Sequence, residues 1–216
     1  MKKVLLNTIV LLSTLLSIGS VQALDVQITP DIASVDVVHN GKKVTIMRNQ
    51  DTSNTINPDY AKTSRNCPPF CIQPINVATG VETLGEVEVI HYLKMKSDGD
   101  NAILIIDSRT PDWVAKGTIP GSINIPWTEL TIGQGADPFT ISDIMQQQFG
   151  VREQEGLWDF SNAKTLVLFC NGMWCGQSPN NIHALLKFGY PAEKIKWYRG
   201  GMQNWEALGL STAKQN

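Results

Sequence analysis

The chain has 216 residues, 42% of them hydrophobic, and a formal net charge of −2. A charge so near zero gives no footprint for a nucleic acid or another polyanion, and no basic run, internal repeat or low-complexity tract supplies one. Four cysteines, Cys67, Cys71, Cys170 and Cys175, form two close pairs far apart in the chain.

Lys2-Lys3 precede an apolar stretch from Val4 to Ile18, and Val21-Gln22-Ala23 follows. That is the order of a charged n-region, an apolar h-region and a small-residue cleavage site, so residues 1–23 read as a bacterial export signal. Asn7, Thr8, Ser13 and Thr14 interrupt the stretch, which is too short and too polar for a membrane span. The mature chain is expected to start at Leu24 or Asp25, to lie in the periplasm or outside the cell, and to make no stable membrane insertion. About 190 residues then remain, enough for one domain plus an extension. An oxidising compartment permits disulfides, and the sequence leaves the pairing of the four cysteines open.

Residues 24–81 read as a β-rich and irregular extension. Ala33 to His39 and Lys42 to Met47 alternate in polarity around Asn40-Gly41, the signal of a tight hairpin. Asn49 to Ala61 has no periodicity and reads as loop. Cys67-Pro68-Pro69-Phe70-Cys71 cannot be helical, because proline lacks a donor and pushes its neighbour to extended backbone. Fully extended, this segment would hold the two cysteines about 13 Å apart, so a disulfide between them needs a turn at the prolines. A structural disulfide is the leading reading, ahead of a second redox pair over the active-site mouth; a four-cysteine metal site has no other feature behind it.

Residues 82–212 alternate in type. Glu82 to Lys96 carries Leu84, Val87, Ile90, His91 and Leu93 at helical spacing, with Thr83 as its cap. Asn101 to Ile106 is a β-branched run ending on Asp107, which fits a strand buried on both faces. Ile119 to Pro126 turns into a short extended segment, and Ile141 to Phe149 reads as helix. Thr165 to Phe169 is a second buried strand. Pro179 to Phe188 reads as a helix capped by Ser178 and closed by Gly189. Lys196 to Tyr198 is a short strand, and Gly200-Gly201 leads into a last helix, Met202 to Leu208. Strands alternating with helices predict an α/β fold with a central parallel sheet and helices on both faces, whose site forms at the C-terminal strand ends.

Cys170 stands at such an end. The loop that follows it is Asn171, Gly172, Met173, Trp174, Cys175, Gly176 and Gln177, and then Ser178-Pro179 opens a helix. Glycines let backbone amides turn inward around an anion, and a helix N-terminus adds a positive dipole end, so a thiol here is expected to ionise readily. The loop contains no lysine or arginine, so activation is expected mainly from the backbone. A lone cysteine at a strand end is more often a small apolar side chain than a nucleophile; the order strand, cysteine, glycine loop, helix reverses that balance.

These residues resemble the rhodanese-like (sulfurtransferase) family over about residues 82–210. Asp107-Ser108-Arg109 with Gly117 to Pro126, Cys170 after its strand, and Arg199-Gly-Gly-Met-Gln-Asn-Trp205 follow the family's signatures in order. The resemblance implies a persulfide carried on Cys170, a small sulfur-containing donor, a thiol or cyanide acceptor and no cofactor or metal. It makes Asp107 and Arg109 a supporting pair that orders loops. Single-domain members usually place an arginine five residues after the cysteine, followed by serine or threonine. Here Cys175 holds that position and Ser178 comes later, which argues against efficient use of thiosulfate, a dianion. Phosphatases of the same fold clamp phosphate with an arginine that is absent here.

Three readings of function stay open: sulfur transfer through Cys170, thiol–disulfide exchange between Cys170 and Cys175 as a resolving or masking thiol, and a non-catalytic module that presents its extension to a protein partner. Cys175 also has a bland reading, as loop packing. Trp197, Tyr198 and Trp205 read as core, and His39, His91 and His183 lie on unrelated elements with no Cys–His dyad in view.

Overall fold

The computed structural model describes residues 25–214; the expected export signal at residues 1–23 lies outside them. The chain opens with an antiparallel hairpin of β1 (Ser34–His39) and β2 (Lys42–Met47). Its turn needs positive φ at Asn40 and Gly41, 49° and 72°, which asparagine and glycine tolerate best. Val35, Val37 and His39 face inward while Ser34, Asp36 and Val38 face out, as a period of two requires.

From there β3 (Glu82–Leu84) leads into α1 (Glu86–Ser97), β4 (Ile103–Asp107) and the single turn α2 (Pro111–Val114). The short β5 (Ile123–Asn124) is followed by α3 (Pro138–Asp143), which relaxes into a π-helical turn over Ile144–Gln148. A small hairpin, β6 (Arg152–Gln154) with β7 (Leu157–Asp159), precedes β8 (Thr165–Phe169). The fold ends with α4 (Gln177–Lys187), β9 (Ile195–Tyr198) and α5 (Gly201–Ala207).

The expected helix from Glu82 is corrected: its first three residues are strand β3, paired with β9. Thr83 gives its hydroxyl to the Ile75 carbonyl at 2.5 Å instead of capping a helix. The helix starts after Gly85, whose N–H is taken by the Glu88 carboxylate at 3.1 Å. The expected helix at Ile141 begins earlier, at Pro138, because Asp137 accepts from the Phe139 and Thr140 amides.

Five parallel strands run in the order β3-β9-β8-β4-β5. Along β4 and β8 alternate side chains go to opposite faces, and each face has its own core. Leu104, Ile106, Leu166 and Leu168 pack with Ile141 and Met145 of the α3 segment and Ile182 and Leu185 of α4. Ile103, Ile105, Val167 and Phe169 pack with Val89, Ile90 and Leu93 of α1 and with Met202 and Trp205 of α5. Val35, Val37 and Ile46 of the first hairpin belong to this second core. The extension is therefore built into the domain, and Asn49 donates to the Gly209 carbonyl at 2.7 Å to tie it to the C-terminal segment. His39 is buried and accepts from the Gly121 amide at 3.1 Å, a packing role. Among the described residues, no helix is long and apolar enough to cross a membrane.

At the C-terminal end of β4 a fully buried ion pair joins the parts. Arg109 meets Asp107 through Nε at 2.9 Å and Nη2 at 2.6 Å, and neither side chain is exposed. The Thr118 hydroxyl donates to Asp107 at 2.6 Å. The guanidinium also donates to the Gly117 carbonyl at 2.6 Å and to the Tyr60 hydroxyl at 2.8 Å. Removing one partner of such a pair strands a charge in the core, so Asp107→Asn is expected to cost about 3–5 kcal/mol in urea unfolding. Tyr60→Phe removes one charge-assisted bond and is expected to cost about 2 kcal/mol. A Tyr60→Phe cost below about 0.5 kcal/mol, the range of ordinary surface changes, would show that Tyr60 does not tie the extension to this pair.

Candidate active site

Cys170 follows β8 directly and is buried. Its backbone is pinned by α5: the Met202 amide donates to the Cys170 carbonyl at 3.0 Å and the Gln203 amide to the Asn171 carbonyl at 2.9 Å. Gly201 makes this approach possible. It has a φ of 55°, and a side chain there would collide with the Cys170 carbonyl and the Gly172 amide. Asn171 is buried with its side-chain oxygen 3.5 Å from Arg109 Nη1, which sets the loop against the buried ion pair.

The loop then folds Cys175 back over Cys170, with the Cys175 carbonyl 3.5 Å from its sulfur. The Cys175 amide donates to the Gly172 carbonyl at 2.9 Å, closing a turn. The Ser178 hydroxyl donates to Cys170 Sγ at 3.1 Å. Trp197 Nε1 donates to that same hydroxyl at 3.1 Å, which leaves the hydroxyl proton aimed at the sulfur. Ser178 is thus not the helix cap expected from Ser178-Pro179. Helix α4 starts two residues earlier, at Gln177 with Gly176 at the cap, and the serine inside its first turn faces the thiol.

Burial acts to raise the Cys170 pKa. Hydrogen bonds from the Cys175 thiol, the Ser178 hydroxyl and the Ser178 and Gly172 amides outweigh it, and the thiol is held below the ordinary thiol range. Cys175 moves the opposite way. Burial, its hydrogen bond to Cys170 and the charge there keep it protonated well above that range. Side-chain donors therefore stand beside the backbone in activating Cys170, where the sequence had pointed mainly to the backbone. The carbonyl of Cys175, 3.5 Å from Cys170 Sγ, is the acceptor open to the protonated form.

The remaining loop residues have separate tasks. Met173 is exposed, and its carbonyl accepts from the Gln73 amide at 2.8 Å. The Gln177 side-chain oxygen, 3.6 Å from Cys175 Sγ, accepts from that thiol and so competes with Cys170 for its single proton. Trp174 Nε1 donates to Gln203 at 2.8 Å, and its ring meets Phe70 edge-on at 5.6 Å between centroids.

Phe70 belongs to the extension. Cys67 and Cys71 are joined by a disulfide with Cα atoms 4.6 Å apart, and the Phe70 amide closes the turn on Asn66 at 2.9 Å. Downstream, Arg199 donates to the Gln73 carbonyl at 2.8 Å and the Pro74 carbonyl at 3.1 Å. Arg65 lays its guanidinium over the Trp174 ring at 3.6 Å. Loop and extension enclose a cavity of about 310 Å³ walled by Arg65, Phe70, Trp113, Trp127, Trp174 and Cys175. A larger depression of about 470 Å³ on α1 holds no cysteine and lies apart from this chemistry.

Sequence reasoning did not find Tyr60, Arg65, Trp127 or the positioning role of Trp197. Each reaches the site from a distant segment, and no local pattern announces it. Among the described residues no group of three or more His, Cys, Asp or Glu side chains is placed to hold a metal ion.

The family model for the rhodanese-like domain matches residues 90–208. Among solved structures, a Rhodopseudomonas palustris protein of unknown function, described as a possible tyrosine phosphatase, is 20% identical, covering 63% of this chain and 88% of its own, with a TM-score of 0.43. The rhodanese-like domain of an Anabaena protein is 16% identical, covering 64% and 81%, with a TM-score of 0.39. A thiosulfate sulfurtransferase from Pseudomonas aeruginosa is 19% identical, covering 63% of this chain and 21% of its own, with a TM-score of 0.42. No curated protein matches the chain.

If Cys175 supplies a proton to the Cys170 thiolate, Cys175→Ala moves the pH profile of Cys170 alkylation by iodoacetamide to higher pH. At a pH below the ordinary thiol range the wild type then reacts faster than the variant. Coincident profiles would remove Cys175 from the activation of Cys170.

Proposed function

The chain belongs to the rhodanese-like domain family, and from that premise we propose that it is an exported sulfurtransferase carrying sulfane sulfur as a persulfide on Cys170. The observation that carries this reading is the hydrogen bond that the Ser178 hydroxyl donates to Cys170 Sγ at 3.1 Å, one of the contacts that hold this thiol below the ordinary range. A thiolate, not a thiol, is the attacking species, and a buried thiolate needs donors arranged in advance. The Cys170 thiolate attacks the outer sulfur of a sulfane donor. The donor's S–S bond breaks, its remainder leaves with the bonding pair, and a Cys170–S–S⁻ persulfide remains. The donors that held the thiolate are then available to the persulfide anion. An acceptor thiolate takes the outer sulfur and returns Cys170 to the thiolate.

The disulfide at Cys67–Cys71 supports an oxidising compartment, in keeping with the expected signal at residues 1–23. The small sulfur donor, the thiol acceptor and the periplasmic or secreted location are parts of this proposal.

A second reading has its own observation: the surroundings of the two loop thiols push them apart, Cys170 below the ordinary thiol range and Cys175 well above it. That is the arrangement of an attacking and a resolving thiol. In this reading Cys170 attacks a substrate disulfide. Cys175 then displaces the mixed disulfide, leaving a Cys170–Cys175 bond and two substrate thiols. The same Cys175 attack on a Cys170 persulfide would release hydrosulfide and close the same bond.

The protein incubated with a sulfane donor and analysed by peptide mass spectrometry is expected to gain one sulfur on the Cys170 peptide. Cys170→Ser is expected to gain none and to lose all transfer activity. A Cys170–Cys175 disulfide as the sole product, with no added sulfur in Cys175→Ser, would move the assignment to the redox reading.

A further inference from the structure

We propose that the cavity between the cysteine loop and the extension recognises an organic monoanion with a flat, apolar body, and that Arg65 is its anion-binding residue. Arg65 lies outside the region matched by the family model, residues 90–208. The active loop itself contains no cation. The extension places one at its rim.

Arg65 is held in a defined pose. Its guanidinium stacks on Trp174 at 3.6 Å and lies 5.9 Å from the Phe70 ring centroid. Its Nε is buried and unpartnered, whereas Nη1 and Nη2 are neither buried nor hydrogen-bonded among the described residues. No carboxylate pairs with it there either: the ion pairs among the described residues engage other cations. A forked guanidinium stacked on an indole, with its terminal nitrogens free, is an oxyanion-binding group. The stack fixes one side of the fork and leaves the other for a ligand.

The walls decide what kind of anion fits. Trp113, Trp127, Trp174 and Phe70 present aromatic surface, and the volume of about 310 Å³ holds far more than a tetrahedral ion. A small dianion would lose water against these rings and meet one positive charge in return. A monoanionic head on an aromatic body meets the charge with the head and the rings with the body. The ligand would lie beside Cys175, which lines the cavity, with the Cys170 sulfur behind the Cys175 carbonyl. The Cys67–Cys71 disulfide and the Arg199 clamp on Gln73 hold this wall in place. The binding itself does not depend on the sulfur-carrier reading; only the bound anion's role as donor or acceptor does.

The test uses benzenesulfonate, which carries no transferable sulfur, titrated into the full-length protein while tryptophan fluorescence is followed. The wild type is expected to show a saturable change, and sulfate none in the same range. Arg65→Gln is expected to weaken benzenesulfonate binding about tenfold, and Arg65→Lys by less, since it keeps the charge. Unchanged thermal midpoints of both variants show that the fold is kept. Equal binding by wild type and Arg65→Gln, sulfate binding as tight as benzenesulfonate, or no binding by the wild type would overturn the proposal. An equal loss in Arg65→Lys and Arg65→Gln would do so too, by removing charge as the cause. Arg65-dependent binding in a protein that never gains sulfur on Cys170 would retire the sulfur-carrier reading and leave this site standing.

Discussion

The Asp107–Arg109 pair is the contact on which the site depends. Two charges with no solvent exposure are costly to bury, and Coulomb attraction alone seldom repays that cost. Here nearly every polar atom of the pair has a partner. Asp107 accepts from the Arg109 backbone, the guanidinium and Thr118. Arg109 donates further to Gly117 and Tyr60. Those partners come from the extension and from the Gly117-Thr118 turn, while Asn124 of β5 donates to the carbonyls on either side of Ser108. The pair thus ties together the extension, the Gly117-Thr118 turn and the end of β4. Asn171, the neighbour of Cys170, rests against it.

Activation of Cys170 is a competition between burial, which disfavours charge, and donors, which favour it. Three elements supply the donors: the loop gives Cys175 and the Gly172 amide, α4 gives Ser178, and β9 gives Trp197, which orients Ser178. Parallel pairing of β8 with β9 makes the last possible, since Leu168 and Trp197 are register partners and Cys170 follows one residue after Phe169. The sheet thus fixes the indole and the thiol on either side of one serine. A cation at the same place would stabilise the thiolate too, but it would also attract competing anions into the loop. Neutral donors avoid that.

Where the signal was local, the sequence was legible. Thr165 to Phe169 reads as a buried strand because five consecutive apolar or β-branched residues fit a sheet covered on both faces. The Asn40-Gly41 hairpin follows from backbone sterics at its turn. The misreadings came from motifs with two physical meanings. Leu84 falls in helical phase with Val87 and His91, yet it ends a strand that only its partner β9 defines. Ser178-Pro179 has the chemistry of a cap, yet the serine hydroxyl is more useful to an adjacent buried sulfur than to the helix amides. The β6–β7 hairpin went unread because its strands are largely exposed and carry no alternation. Arg65 could not be found at all, because a stacking partner more than a hundred residues away leaves no trace in its own neighbourhood.

The displacement of positive charge from the loop to the extension separates two tasks that one loop arginine would combine. A cation beside the nucleophile lowers its pKa and binds the substrate's charge at once, so neither property can change alone. In this chain Cys175, Ser178 and backbone amides act to lower the Cys170 pKa, while Arg65 stacks on the Trp174 ring. The indole is shared by both halves: its N–H is fixed by Gln203 of α5, and its face carries the guanidinium. Gln203 in turn donates to the Tyr60 carbonyl at 2.9 Å, and Tyr60 touches Arg109. One chain of contacts therefore runs from the buried ion pair through the extension to the cavity wall. Arg65 is the member of that extension that touches neither the ion pair nor the donors around Cys170, so its charge can change without disturbing them.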